Sequence, residues 1–524
     1  MTLDEGCKII RLPVPDDGRH QRNFVRVACL GSTEIHQPVV HHDCSENQIR
    51  SLVGRVAGVT PKPSPYGLAR LRSAVPAIKR NLPHTTANPM EDMPARYSGM
   101  KRKRYERALN SVNLTGLSRA DAAIKMFVKP ERFNPAVRAN PDPRAIQFRA
   151  AKYCVVLASY LHPIEHHIYN LSCASAGVEP SRNVAKGLNS VARAELLMRK
   201  LAEFNNPTMV GLDASRFDKH VSRELLSLEH SIYLSSNPDP EFRQLLSWQL
   251  SNTCFSNLGL IYKVRGRRMS GDMNTAAGNC LLMLLMLMSF FQGVKKWDCL
   301  DDGDDVVVIV EAESIEWVLS NVHSEFLHYG MQMKVESITN NPLQVVFCRS
   351  MMVEYHPGRF KFIRDFRLVM SNALCGIRHW QDETYRRRVI NAVGTCELVL
   401  NLGVPILQEF AVAILRNCPS SKVLDLSLAP EGLLARTKRD LRLLGIDPSE
   451  LRPQPVLPCA RASFAAAYGV DEIEQIKWEE RLRKWTFTTI GRRDVPCELE
   501  VHTWTYEPAL HEVYTHQENE IRKD

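Results

Sequence analysis

The chain has 524 residues, 44% apolar and 24% charged, the balance of an ordinary soluble globular protein with room for two or three subdomains. Its longest apolar run, residues 280–291, falls well short of the roughly twenty residues a membrane-crossing helix needs, and residues 1–11 hold no apolar signal-peptide core. The net charge of +9 is concentrated: residues 101–150 carry twelve Lys or Arg against four acids, which predicts a polyphosphate partner.

The fourteen cysteines include no C-x-x-C pair, so free thiols in a reducing compartment are expected rather than a disulfide frame or a zinc knuckle. Residues 1–90 are proline-rich and weakly patterned. His36, His41, His42 and Cys44 match no common zinc spacing and read as a chance cluster. His162, His166 and His167 lack a third ligand and read as helix-packing residues. Over residues 125–149, basic and apolar residues alternate around a proline-rich turn, which predicts strands with Lys125, Lys129, Arg144 and Arg149 on one side. Guanidinium forks on a stiff hairpin suit a triphosphate.

Residues 208–213 read as a short buried strand ending at Asp213, with Asp218 at the entrance to an amphipathic helix over 221–234. A hairpin-like segment over 252–272 leads into Ser270 and Gly271, then Thr275 and Asn279. Small residues at 271 and 276–278 let a backbone or a nucleotide approach closely. Residues 280–291 form an apolar core helix. Next comes Asp301-Asp302-Gly303-Asp304-Asp305, an Asp-Gly turn between strands over 296–300 and 306–311. Alone it reads as an acidic surface turn, but four like charges in five residues repel unless a cation joins them. A helix over 314–329 closed by Gly330, a strand with Lys334, and short strands over 344–348, 351–355 and 360–363 follow. From about residue 384 the pattern is helical (386–402, 405–415, 431–444), with basic clusters at 386–388 and 481–484.

The ordered set Asp213-x4-Asp218, Ser270-Gly271-x3-Thr275-x3-Asn279 and Gly303-Asp304-Asp305 resembles motifs A, B and C of viral RNA-dependent RNA polymerases. Its wording from Arg268 to Cys280 is similar to replicases of the tombusvirus family, in their carmovirus- and umbravirus-like lineages. Residues 129–149 resemble motif F, Lys334 stands where motif D has its lysine, and Phe347-Cys348-Arg349 resembles motif E. The resemblance implies an α+β right-hand polymerase whose antiparallel palm sheet has ferredoxin- or RRM-like topology, beside a mostly helical thumb. Its expected units are an N-terminal extension linking fingers and thumb (1–90), fingers (91–206), palm (207–240), a fingers insertion (241–262), palm again (263–365), and thumb with C-terminal region (366–524).

The implied chemistry is two-metal nucleotidyl transfer. Asp213 and Asp304 would be the primary ligands and Asp305 a supporting one, for two Mg²⁺ ions with Mn²⁺ as a substitute. Asp301 and Asp302 would be flanking residues of lesser consequence. Asp218 and Asn279 would sense the ribose, with Ser270, Gly271 and Thr275 supporting them. Arg144 and Arg149, assisted by Lys125 and Lys129, would neutralise the incoming triphosphate, and Lys334 would be the general acid. Partners would be RNA template and product, ribonucleoside triphosphates, a membrane-anchored viral auxiliary protein and host factors, on membrane-associated complexes in the host cytoplasm. The family's polymerases are commonly readthrough or frameshift extensions of a membrane-bearing auxiliary protein, so a chain with no such helix is expected to be the polymerase part alone or to be recruited by a partner. A reverse transcriptase would share the aspartates but use an aromatic steric gate, and a non-catalytic RNA-binding protein would need only the basic patch. A helicase or capping enzyme is disfavoured because no phosphate-binding G-x-x-x-x-G-K-[ST] loop is present.

Overall fold

The computed structural model describes residues 2–15, 22, 24–26, 35, 38–175, 177–377, 380, 382–419, 424–445 and 447–487. His36 and the C-terminal part of the expected thumb, 488–524, lie outside them. The chain folds as a mixture of helices and sheets whose strand pairs are antiparallel, except that Ile124–Val128 runs parallel to Ser251–Ser256.

The central sheet has four strands in the order Trp297–Asp301, Asp305–Glu311, Pro207–Ala214, Met333–Thr339. Val306 to Val310 are all fully buried, because this strand lies inside the sheet and is covered on both faces. Val306, Val308 and Val310 join the core built around the apolar helix Thr275–Phe290, whereas Val307 and Ile309 pack with Leu196 and Leu197 of the helix Ser190–Leu201. The expected hairpin is present, and Gly303 takes φ +99°, a conformation glycine adopts without steric cost.

A second sheet has five strands, Cys7–Arg11, Ile261–Arg265, Ser251–Ser256, Ile124–Val128 and Ala145–Arg149 in that order. The hairpin expected over 252–272 therefore forms, and the unit boundary expected between 262 and 263 falls inside its second strand. The described part of residues 1–90 is more structured than its proline content suggests. The helix Pro65–Arg80, capped by Ser64, sends Leu71, Val75 and Ile78 into the core shared with Thr275–Phe290. Val25–Arg26 pairs with Cys375–Gly376, and Val39–Val40 pairs with Arg132–Phe133.

The hairpin of Ser350–His356 and Arg359–Arg364 shares a separate core with helices Glu383–Leu400, Leu407–Asn417, Pro458–Tyr468 and Glu472–Lys484. Glu431–Leu444 matches the expected helix end for end. The strand expected over 344–348 does not form: Pro342–Gln344 is a single 3-10 turn, and Phe347 and Ser350 close a tight reversal with paired backbone hydrogen bonds of 2.9 and 3.0 Å. Among the described residues no helix is long and apolar enough to cross a membrane, and none of the cysteines forms a disulfide.

Candidate active site

The central sheet brings the acidic residues together by register. Asp213 stands opposite Asp305 on one side and opposite Lys334 on the other. The Ala214 N–H donates to the Asp304 carbonyl at 3.0 Å, which ties the acidic turn to the end of the central strand. Asp213, Asp304 and Lys334 line one cavity of about 1510 Å³.

These carboxylates disturb one another. Burial, then repulsion from Glu336 and Asp304, raises the Asp213 carboxyl above its ordinary range, while Lys334 pulls the other way. Burial pushes Asp305 up to about 7, although its Oδ2 accepts the Cys348 N–H at 2.8 Å. Asp305 does not line the cavity; of the four acids of the turn, Asp302 and Asp304 do. Among the described residues no three His, Cys, Asp or Glu side chains enclose an ion by themselves. Mg²⁺ does not require that, because it keeps several waters and takes one or two carboxylates together with substrate phosphates. Crowded oxygen donors open to a large cavity fit such a shared site.

Asp301 and Asp302 depart from the expectation that they merely flank the turn. Asp301 is fully buried, its carboxyl is pushed well above the usual range by that burial, and its Oδ1 accepts the Gly303 N–H at 2.7 Å. Against its own burial, Asp302 is held below the ordinary carboxylate range by Lys186 and by Arg193, whose Nη2 lies 2.8 Å away. The four-acid repulsion is thus relieved at Asp302 by two cations, as well as by any ion near Asp304.

Beside the turn, Asn279 Nδ2 donates to Asp218 Oδ1 at 2.9 Å, and both residues line the cavity. Burial raises the Asp218 carboxyl, with Asn279 opposing. Lys129, Arg138, Arg144 and Arg349 give the cavity a cationic wall. Lys129 and Arg144 share Glu131, at 3.8 and 3.2 Å.

Residues 14–489 match the family model described as viral RNA dependent RNA polymerase. The chain belongs to that family. It is 33% identical over 490 residues to the RNA-directed RNA polymerase of Maize chlorotic mottle virus, covering 90% of this chain and 49% of that protein. It is 33% identical to that of Turnip crinkle virus over 72% of this chain and 50% of the relative, and 30% identical to that of Cucumber necrosis virus over 92% and 58%. The chain thus spans about half to three-fifths of the length of these relatives.

Within the segment that resembles the family's motif F, the basic residues divide. Arg149 is not available to a triphosphate: its side chain is 1% exposed, bonds both oxygens of Asp272 at 2.6 and 3.0 Å, and donates to the Ala122 carbonyl and Asn252 Oδ1. Lys125 is exposed, lies in register with Phe148 and does not line the cavity. In motif B, Ser270 and Gly271 dock the loop onto motif F rather than touching Asp218 or Asn279. Ser270 Oγ donates to the Ala145 carbonyl at 2.9 Å and accepts the Gln147 N–H at 3.1 Å, while the Gly271 N–H donates to the Gln147 carbonyl at 2.7 Å. A Cβ at Gly271 would stand 2.6 Å from that carbonyl oxygen, which requires glycine. Thr275 Oγ1 closes the same loop onto the Met269 carbonyl at 2.7 Å.

In the segment that resembles motif E, Phe347 is buried beneath Arg193, Cys348 supplies the N–H that holds Asp305, and Arg349 reaches the cavity. Cys348 Sγ donates to Asp302 Oδ2 at 3.1 Å. Sequence reasoning missed Lys186, Arg193, Glu336, Arg138, Arg268 and Glu229. Arg138 lies inside the basic segment, Arg268 two residues before Ser270 and Glu229 on the amphipathic helix, but none of these signals says which side chain turns inward, and only the folded sheet and its neighbouring helices bring the six near the aspartates.

Proposed function

We propose that this chain is a template-directed RNA polymerase of a positive-strand RNA virus, joining ribonucleotides at the cavity bounded by Asp213 and Asp304. The observation that carries the reading is the convergence of Asp213, Asp304, the Asp218–Asn279 pair and a cationic wall on one cavity. Family membership supports it independently.

The central sheet would be the palm. Its β-α-β-β-α-β chain order and its strand order support a ferredoxin-like topology within a right-hand arrangement. Residues 91–206 and 241–262 are read as fingers, 207–240 and 263–365 as palm, 366–524 as thumb and C-terminal region, and 1–90 as the link between fingers and thumb.

Asp213 and Asp304 would hold Mg²⁺, or Mn²⁺ in its place, with Asp305 acting through its neighbours. Bound there, two ions supply charge stabilisation to the attacking and leaving oxygens of an in-line displacement. Arg144, Lys129, Arg138 and Arg349 bind and orient the triphosphate, charge against charge. Asp218 accepts from the 2′-hydroxyl and Asn279 donates to it. A deoxynucleotide leaves the second N–H of Asn279 and a lone pair of Asp218 without that hydroxyl, and such sites discriminate strongly. Lys334, opposite Asp213 in the sheet, would give a proton to the departing pyrophosphate. RNA template and product and ribonucleoside triphosphates are the substrates; a membrane-anchored viral auxiliary protein and host factors would recruit the chain to membrane-associated complexes in the host cytoplasm.

The test is to supply the purified chain with defined RNA templates and four ribonucleotides. Products complementary to each template support the reading. Products whose sequence ignores the template, or RNA binding with no synthesis, would replace it with terminal transfer or with a non-catalytic RNA-binding role.

A further inference from the structure

Behind the Asp218–Asn279 pair lies a polar network whose other members do not line the cavity. Arg268 is 2% exposed and Glu229 fully buried. Arg268 Nη1 donates to Glu229 Oε1 at 3.1 Å, and Nη2 bonds the second carboxylate oxygen. Its Nε donates to Asn279 Oδ1 at 2.9 Å, and its backbone N–H donates to the Asp218 carbonyl, also at 2.9 Å. Asn274 Nδ2 donates to Glu229 Oε1 at 2.9 Å and is braced by Gln249. A Cβ on Gly278 would lie 2.4 Å from Glu229 Oε1 and 2.6 Å from Arg268 Nη2, so the glycine leaves room for this pair beside Asn279.

A carboxamide fits its site either way round, and reversing it exchanges a donor for an acceptor. A guanidinium only donates. Arg268 Nε–H can therefore donate only to the oxygen of Asn279, and that choice turns Nδ2 towards the Asp218 carboxylate, 2.9 Å away. We infer that Arg268, held by Glu229, is the positioning residue that fixes the polarity of the ribose-sensing amide. The inference rests on the proposed ribose role of Asp218 and Asn279. With the amide held this way, one N–H of Asn279 serves Asp218 and the other is left for a 2′-hydroxyl. Reversed, its oxygen would face the carboxylate, acceptor against acceptor. Desolvating a buried ion pair is costly, and apolar residues of similar volume are often as stabilising. What the pair adds here is a single orientation of a neighbouring amide.

The test compares kcat/KM for each ribonucleotide with that for its 2′-deoxy counterpart on a primed RNA template, using the full chain. Lysine lacks the planar fork and cannot serve Glu229 and Asn279 together. R268K is expected to lower the ratio about tenfold, part of the roughly 10⁴–10⁵ that a hydrogen-bonding site can supply, mainly through a higher KM for the ribonucleotide. In an N279A background it should lower the ratio no further. E229Q, of the same shape, should act in the same direction and is the variant to read if R268K unfolds early. An unchanged ratio in R268K and E229Q, with the ratio lost in N279A, overturns the positioning role and leaves the ribose pair standing. An additional fall in the double variant also overturns it. If N279A itself keeps the ratio, the ribose reading fails first.

Discussion

Arg144 and Arg149 lie five residues apart in motif F and meet opposite fates. Arg144 is exposed at the cavity, whereas Arg149 is buried against Asp272. Strand period explains the difference: Ala145, Gln147 and Arg149 point to one face of their strand, and that face is covered. Charge alone suggests exposure, and charge misleads when a partner waits inside the fold. Arg149→Ala should therefore cost about 3–5 kcal/mol of stability by stranding Asp272, read as a lower midpoint in thermal or denaturant unfolding. Arg144→Ala should leave unfolding nearly unchanged and raise KM for the nucleotide. An Arg149 variant that melts like the parent and loses only nucleotide affinity would restore the triphosphate role.

At the scale of elements, the tight reversal at Phe347–Ser350 shows most clearly where sequence legibility stops. Cys348 and Arg349 both take left-handed backbone angles, φ +51° and +56°, at positions where turns of this kind favour glycine or asparagine. Nothing in Phe347-Cys348-Arg349 announces such a turn, and the apolar run before it suggests a strand. The acidic hairpin was legible for the opposite reason, since Asp-Gly beside a valine run agrees with both the reversal and the buried strand. Non-glycine residues pay roughly 1–2 kcal/mol each in this region, and the strained turn gives Asp305 its Cys348 N–H and puts Arg349 at the cavity. Arg349→Gly relieves that strain against about 0.5–1 kcal/mol of added unfolded-state entropy. The variant should unfold at the same temperature or slightly higher while its KM for nucleotide rises. A clear loss of stability would mean that the arginine side chain braces the turn.

For the whole molecule, residues 1–90 are where pattern was weakest and integration proves strong. Leu71 and Ile78 are fully buried against the helix that carries Asn279, and a Cβ on Gly67 would come within 2.0 Å of the His328 carbonyl oxygen. Irregular proline-rich sequence hides such packing because its partners lie hundreds of residues away. Burying each such side chain contributes about 1.5–3 kcal/mol, so deleting residues 2–90 should yield insoluble or molten protein, judged by solubility and by protease resistance of the remainder. A soluble, cooperatively unfolding remainder would make this region a detachable extension. The acidic turn and the strand beside it are where the proposed chemistry is seated, and Asp304→Asn tests this most directly, since the change keeps the shape and removes the charge. RNA-templated ribonucleotide incorporation by the variant should fall by more than the roughly 10–100-fold that loss of an outer-shell partner costs, with its unfolding temperature held. Undiminished incorporation by a folded Asp304→Asn chain would contradict the account.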